Sequence, residues 1–463
     1  METMFPPLDS ATAWCHSVHR ETASCQPEQH CSRSMTGEPI VEKRFIMATA
    51  ETQSSAGLEH IGTLVIGGGL AAAHCVHALR EGGYRKSIMI VGDENEIPYE
   101  RPPLSKEFLQ GKKPVEEFQP FPAQWYAQAD VELRLGIAAN AIDAEARQVT
   151  LADATTIGYE TLVLATGCRS RIGGRAAKIE GWDLPGVYTL RSLDDSRRLR
   201  ESFMAGEKLV MIGAGWIGME VAASARAAGM EVTVLTPGQL PLAVPMGVEF
   251  GSHVARLQTD HGVRFMFGTA AEKIVNDATE GLSVVTPTGL VAADRVLLAI
   301  GAVPNIELAS HAGLQTGSGV LVDAHLRSSD PHILAIGDIA EAFNTTLGRS
   351  LRVEHWDNAI RQGKLAASTV LGRDETYDWV PYFFTDQFDL GMEYVGDRAT
   401  DDDAVLRGEM SSGEFIIFWL RSGIISAAMN VNIWDVNDLL RGLLGKRVSV
   451  ERLVDMSVEL ADL

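Results

Sequence analysis

From Ile61 onward the chain alternates short apolar runs with glycine-rich turns and longer helical patterns. Thr63-Leu64-Val65-Ile66 predicts a buried strand, Gly67-Gly68-Gly69 a tight turn, and Leu70 to Arg80 a helix. Further strands are predicted at Ser87–Gly92 and at Tyr159–Leu164, the latter running into the small residues Ala165-Thr166-Gly167. Lys208–Ile212 then repeats the opening pattern. It leads into Gly213-Ala214-Gly215-Trp216-Ile217-Gly218, a helix to Gly229 and a strand at Glu231–Leu235. Two later strands, Arg295–Ile300 and Asp330–Asp338, follow, the second ending in Gly337-Asp338. Beyond Asp378 the pattern becomes a succession of strands. Glu414–Leu420 and Ile424–Val431 form a hairpin about Ser422-Gly423, and a helix is predicted over Val436–Leu444.

Strands that alternate with helices imply an α/β fold built on parallel sheets. The two glycine turns give that fold a chemistry. Each lies between a strand and a helix, where backbone N–H groups and the positive end of the helix dipole receive a pyrophosphate. Gly67 permits the turn, Gly69 lets the ligand approach, and Ala72 replaces a third glycine with another small residue. Asp93 and Glu94 end the second strand, where an acid can bind a ribose hydroxyl. The second turn carries the full three-glycine pattern, so two dinucleotide sites are predicted in one chain.

Composition narrows the class. With 463 residues the chain is too long for one core and implies two or three domains. Its net charge of −21 argues against nucleic-acid binding, and no apolar run is long enough to span a membrane. The five cysteines, Cys15, Cys25, Cys31, Cys75 and Cys168, are few and odd in number, which fits a reducing cytoplasm. Residues 1–60 are rich in Ser, Thr, Glu, Gln and Pro without a sustained period, and a disordered extension is expected. Met35 and Met47 are alternative starts within it. Three of the cysteines lie there near His16, His19 and His30, but their spacing matches no metal-site pattern, and no metal is expected.

The ordered set of motifs resembles the FAD-dependent pyridine nucleotide-disulfide oxidoreductase superfamily. It comprises two glycine fingerprints, an Ala-Thr-Gly strand end between them and a late Gly-Asp strand. The loop Arg101-Pro102-Pro103-Leu104-Ser105-Lys106 and the stretch Gly186–Asp195 are similar to its rubredoxin/ferredoxin reductase family, related to the apoptosis-inducing-factor flavoproteins. The prolines of that loop exclude regular helix and make it stiff. Disulfide reductases of the superfamily carry a redox cysteine pair after the FAD acid. Here Cys75 is the only cysteine between Gly67 and Cys168, so no internal dithiol can relay electrons.

The resemblance implies two Rossmann-like domains and a C-terminal α+β interface domain. The FAD-binding domain takes residues 61–183 and 304–377, the NAD(P)H-binding domain 184–303, and the interface domain 378–463. It places Gly67, Gly68, Gly69, Leu70 and Ala71 at the FAD pyrophosphate, Asp93 and Glu94 at the ribose, and Ala139 near the adenine. Arg101, Lys106, Arg191 and Asp338 join the FAD set. Ala214, Gly215, Trp216, Ile217 and Gly218 open the nicotinamide-nucleotide helix, and Gly301 borders that ligand. Lys106 and Glu220 match an ion pair near flavin N5, where a fixed cation stabilises charge arriving with hydride. Glu354 and His355 are candidates for the nicotinamide amide, and His355 and Trp356 for the flavin face. Phe384 stands where many relatives have tryptophan, and Thr236-Pro237-Gly238 where NADH-using relatives carry glutamate.

The implied activity is hydride transfer from NADH, or NADPH, to FAD. Single electrons then pass to a ferredoxin or rubredoxin-like carrier. An acidic carrier needs a basic patch on this acidic protein. Arg197, Arg198 and Arg200, or Arg441, Lys446, Arg447 and Arg452, are the candidates. Two other activities stay open: an NADH oxidase or quinone-type reductase on the same scaffold, and an NADH-sensing binding protein. A monomer and a homodimer are equally compatible with the sequence.

Overall fold

Apolar residues flanked by small ones favour parallel strands covered on both faces, and that is how the first sheet is built. The computed structural model describes residues 58–174, 178–277 and 281–463. The Glu59–Ile66 strand lies at its centre, buried from Ile61 onward. It pairs in parallel with Ile88–Gly92 on one side and Thr156–Leu164 on the other. Val131–Leu135 extends the sheet beyond Ile88–Gly92, and Ile333–Ala335 pairs with Thr156–Leu164, both in parallel. Two antiparallel strands, Gln148–Leu151 and Ala139–Asp143, complete it.

The second sheet repeats the first. It is wholly parallel, in the order Arg264–Phe267, Glu231–Thr236, Lys208–Ile212, Arg295–Leu298 and Val187–Thr189. The likeness extends to single hydrogen bonds. Gly67 N–H donates to Val91 O at 2.7 Å, and Gly213 N–H to Leu235 O at 2.8 Å. Both glycines have positive φ, +114° and +109°, and a β-carbon on either would stand 2.1 or 2.4 Å from the carbonyl oxygen of Ala165 or Ala299. A ribbon of Cys168–Ser170 against Ala302–Pro304 carries the chain between the two sheets.

The third sheet is antiparallel, in the order Tyr382–Gln387, Leu390–Gly396, Ile424–Val431, Glu414–Arg421 and Asp403–Glu409. The expected hairpin about Ser422-Gly423 is its central turn. Helices Asn437–Leu443 and Val450–Val454 follow. Arg407, 5% exposed, donates to the carbonyl oxygens of Leu453, Asp455 and Val458 and holds that segment against the sheet. One apolar cluster joins the second and third sheets to the proline-rich loop region. It contains Leu104 and Phe108 of the proline-rich loop region, Met219 and Ala222 of the second fingerprint helix, and Met392, Phe415 and Met429 of the C-terminal sheet.

Two expectations are corrected. The extension expected over residues 1–60 ends sooner: Leu58 is described, and Glu59 and His60 already belong to the first strand. Cys15, Cys25, Cys31 and the histidines beside them lie outside the described residues. The proline-rich loop, expected without helix, makes one 3₁₀ turn at Pro102–Ser105. Proline opens such a turn readily, because its missing N–H has no partner to lose there.

Helix Trp356–Val370 lies so close to helix Leu70–Glu81 that a β-carbon on Gly363 would stand 2.5 Å from Ala71 O and 3.1 Å from Cys75 N. Gly363→Ala should therefore lose about 1–3 kcal/mol in urea denaturation. Gly442→Ala, on the exposed side of helix Asn437–Leu443 with no heavy atom within 4 Å of the new carbon, should be neutral or gain up to ~1 kcal/mol.

Candidate active site

A cavity of about 760 Å³ opens where the first two sheets, the proline-rich loop and the C-terminal sheet meet. Its walls bring together Gly67, Gly68, Gly69, Leu70, Ala71, Asp93, Glu94, Arg101, Lys106, Arg191 and Asp338. Trp216, Ile217, Glu220, Glu354, His355, Trp356 and Phe384 complete the expected residues found there. Ala139, Ala214, Gly215, Gly218 and Gly301 do not line it. Ala139 begins an antiparallel strand of the first sheet. Gly218 is packed against its own turn, where a β-carbon would stand 2.7 Å from Gly213 O.

Two helices begin close to the cavity without side-chain caps. Gly69 and Gly215 are their N-cap residues, and no side chain accepts a hydrogen bond from either first turn. No heavy atom lies within 4 Å of where a β-carbon would stand on either glycine. Exposed backbone donors and open space together suit a phosphate group.

Beyond the first helix start, charged groups hold one another. Arg101 pairs with Glu94 at 2.8 Å and donates to the Arg191 carbonyl, while Tyr99 Oη donates to Glu94 at 2.6 Å. Arg191 pairs with Asp338 and donates through Nε to Cys168 O at 2.9 Å. Glu94, expected beside a ribose, thus orients Arg101. Glu354 pairs with Arg352.

Lys106 is the buried charge of the site. Its Nζ lies 3.8 Å from Glu220 Oε1, 3.4 Å from Asp386 Oδ2 and 4.3 Å from the centre of the Phe384 ring. Burial works against its charge, but Glu220 and Asp386 outweigh that and hold its pKa above the ordinary lysine value. Glu220 is raised by burial, opposed by Lys106 and by hydroxyl donors. Those donors are Ser105 Oγ, and Thr385 Oγ1 at 2.7 Å. Sequence reasoning found Lys106 and Glu220 but missed Asp386, Ser105 and Thr385. Ser105 adjoins Lys106 in the proline-rich loop, and Thr385 and Asp386 follow Phe384, but none of the three carries a signal of its own in the sequence.

An aromatic wall faces this cation. His355 is edge-on to Tyr382, Phe383 and Phe384 at 5.8, 6.1 and 5.9 Å, and Trp356 is edge-on to Phe384 at 6.3 Å. Trp216 meets Phe383 at 5.0 Å from the opposite side. Burial, with Lys106 adding to it, pushes the His355 pKa down to about 3. The neutral ring accepts the Asp357 N–H through Nδ1 at 3.3 Å and so caps helix Trp356–Val370. Neither cysteine among the described residues offers the site a reactive thiol. Cys75 and Cys168 are buried, and burial pushes both pKa values up to about 12.

Comparison with known proteins identifies the family. A family model described as pyridine nucleotide-disulphide oxidoreductase matches residues 62–363, and one described as reductase C-terminal matches residues 382–463. The chain belongs to the pyridine nucleotide-disulphide oxidoreductase family. Within it, the chain is 37% identical over 371 residues to the ferredoxin–NAD(+) reductase component of an anthranilate 1,2-dioxygenase system from Burkholderia cepacia, spanning 80% of this chain and 90% of that one. It also resembles the crystal structure of the ferredoxin reductase for the CYP199A2 system from Rhodopseudomonas palustris. The TM-score is 0.82 at 34% identity, covering 86% of this chain and 98% of the other. The reductase in a covalent putidaredoxin reductase–putidaredoxin complex scores 0.82 at 32% identity, covering 86% and 97%.

Of the two basic clusters, the first is paired with neighbouring groups at the surface. Arg197 pairs with Glu96 and Asp194, Arg198 pairs with Asp195, and Arg200 lies over the Phe108 ring. In the second, Arg441 is held by Val380 O and the Trp379 ring, whereas Lys446, Arg447 and Arg452 are exposed. No helix among the described residues is long and apolar enough to cross a membrane.

His355 sets an acid dependence. Its value is 6.5 in the unfolded chain and about 3 in the fold, so the unfolded state takes up the proton first. Stability is complete above that unfolded value and falls as pH drops from there towards the folded one. Wild type should lose about 2 kcal/mol between neutrality and about pH 5. His355→Asn, which keeps a capping acceptor, should flatten that loss in urea titrations at several pH values.

Proposed function

We propose that this chain is an FAD-dependent NAD(P)H oxidoreductase of the ferredoxin-reductase type, feeding a small iron–sulfur carrier in the cytoplasm. One observation carries the reading: two dinucleotide fingerprints approach a common cavity that holds a buried lysine whose charge two carboxylates favour. The open glycines and uncapped helix starts fit FAD and a nicotinamide coenzyme. The FAD domain comprises residues 61–183 and 304–377, the coenzyme domain 184–303 and the interface domain 378–463; that the seven-stranded sheet and the two five-stranded sheets fall one in each supports the division.

Bound FAD supplies what the chain lacks, acceptance of two electrons and their release one at a time. The chain's residues prepare the place. Gly67–Ala71 and the start of helix Leu70–Glu81 receive the pyrophosphate, and Asp93 the ribose. Arg101, Arg191 and Asp338, locked to one another or to their neighbours, fix the polyol side. Lys106 holds a positive charge where negative charge accumulates on reduction, and Glu220 steadies it. Glu354 and neutral His355 orient the nicotinamide, while Trp356 and Phe384 exclude water. NADH is the favoured coenzyme, supported by the NAD(+) in the relatives' names. The Thr236-Pro237-Gly238 segment offers neither an acid to select it nor an arginine to hold a 2′-phosphate.

The purified protein should be yellow, and NADH should bleach its flavin band in rapid-mixing absorbance. A colourless protein that FAD cannot restore defeats the reading. Lys106→Met should slow the bleaching by about 100-fold or more while FAD stays bound.

The carrier is expected to dock on exposed Lys446 and Arg447. Reversing both charges should slow ferredoxin reduction and flatten its salt dependence, with dye reduction unaffected. Turnover with oxygen or a quinone faster than with any ferredoxin would favour the oxidase reading instead.

A further inference from the structure

We propose that Asp386 is a positioning residue for Lys106, sharing the ammonium with Glu220 and so setting how much positive charge the cavity receives. The inference rests on the flavin reading above. Glu220 is the more deeply buried carboxylate, but both its oxygens are engaged by hydroxyls, Oε2 by Ser105 and Oε1 by Thr385. Lys106 Nζ lies beyond hydrogen-bonding range of Oε1, at 3.8 Å. Asp386 Oδ2 is nearer, at 3.4 Å. The ammonium thus leans towards the C-terminal sheet, with the Phe384 ring face 4.3 Å away.

Two carboxylates around one cation leave a net negative charge. Asp386 differs from its companions in exposure, with 44% of its side chain accessible against 8% for Lys106 and 9% for Glu220. Its charge is partly screened by water and can be removed without leaving a buried ion unpaired, because Glu220 remains. Its presence offsets part of the lysine's pull on incoming electrons. The bound flavin is then harder to reduce and, once reduced, a stronger donor to a low-potential carrier.

The test uses the FAD-loaded protein and a reference dye titrated reductively to equilibrium. Asp386→Asn should shift the dye–flavin equilibrium towards reduced flavin by about tenfold, a rise of about 30 mV for a two-electron couple. It should also slow electron delivery to ferredoxin without slowing reduction by NADH. Asp386→Ala supplies a second neutral side chain and should shift the equilibrium in the same direction. Asp386→Glu should restore the wild-type position.

Neutral variants within twofold of wild type, or shifted the opposite way, overturn the inference. So does an Asp386→Glu variant that behaves like Asp386→Asn. A yellow, NADH-reducible protein whose midpoint ignores Asp386 sinks this inference alone, whereas a protein that cannot hold FAD sinks the proposed function with it.

Discussion

A single ammonium group, buried where three sheets converge, constrains the architecture around it. Desolvating a charge is costly unless it is compensated, and no one segment of this chain compensates Lys106 alone. The proline-rich loop supplies the cation, the second fingerprint helix supplies Glu220, and the C-terminal sheet supplies Asp386 and the Phe384 face. Each segment is also tied to the common apolar cluster or to the hydroxyls about Glu220. Electrostatics and packing therefore reinforce the same assembly.

The first two sheets show how much one local rule can specify. At each strand end a glycine turns the backbone beneath a neighbouring carbonyl, and the following helix begins uncapped. The copies diverge in side chains. The first ends its neighbouring strand in Asp93, which reaches the cavity, while the second ends in Thr236, whose hydroxyl accepts the Gly238 N–H at 3.2 Å. Equivalent backbones thus carry different recognition chemistry.

That difference explains what was legible in the sequence. Glycine turns, buried runs and the hairpin about Ser422-Gly423 depend on residues close together in the chain, and their periodicity exposes them. Lys106 and Glu220 were reached through a resemblance to known motifs. Their fuller environment was not, because Ser105 and Thr385 meet Glu220 across 115 and 165 residues. Asp386 reads in isolation as an ordinary strand-end acid. The arginines of helix Leu193–Glu201 show the same limit from the other side: Arg197 and Arg198 stay at the surface but are paired with carboxylates, and Arg200 covers Phe108, none of which their spacing reveals.

The continuous cluster through Leu104, Met219 and Phe415 also bears on how a coenzyme gains entry. Swinging one lobe away from another would wet those side chains at roughly 25 cal/mol for each Å² uncovered. A hinge there is correspondingly stiff. Rotamer changes are a cheaper gate, and Trp216, packed edge-on against Phe383 at the rim of the second fingerprint helix, is the side chain such a gate would turn.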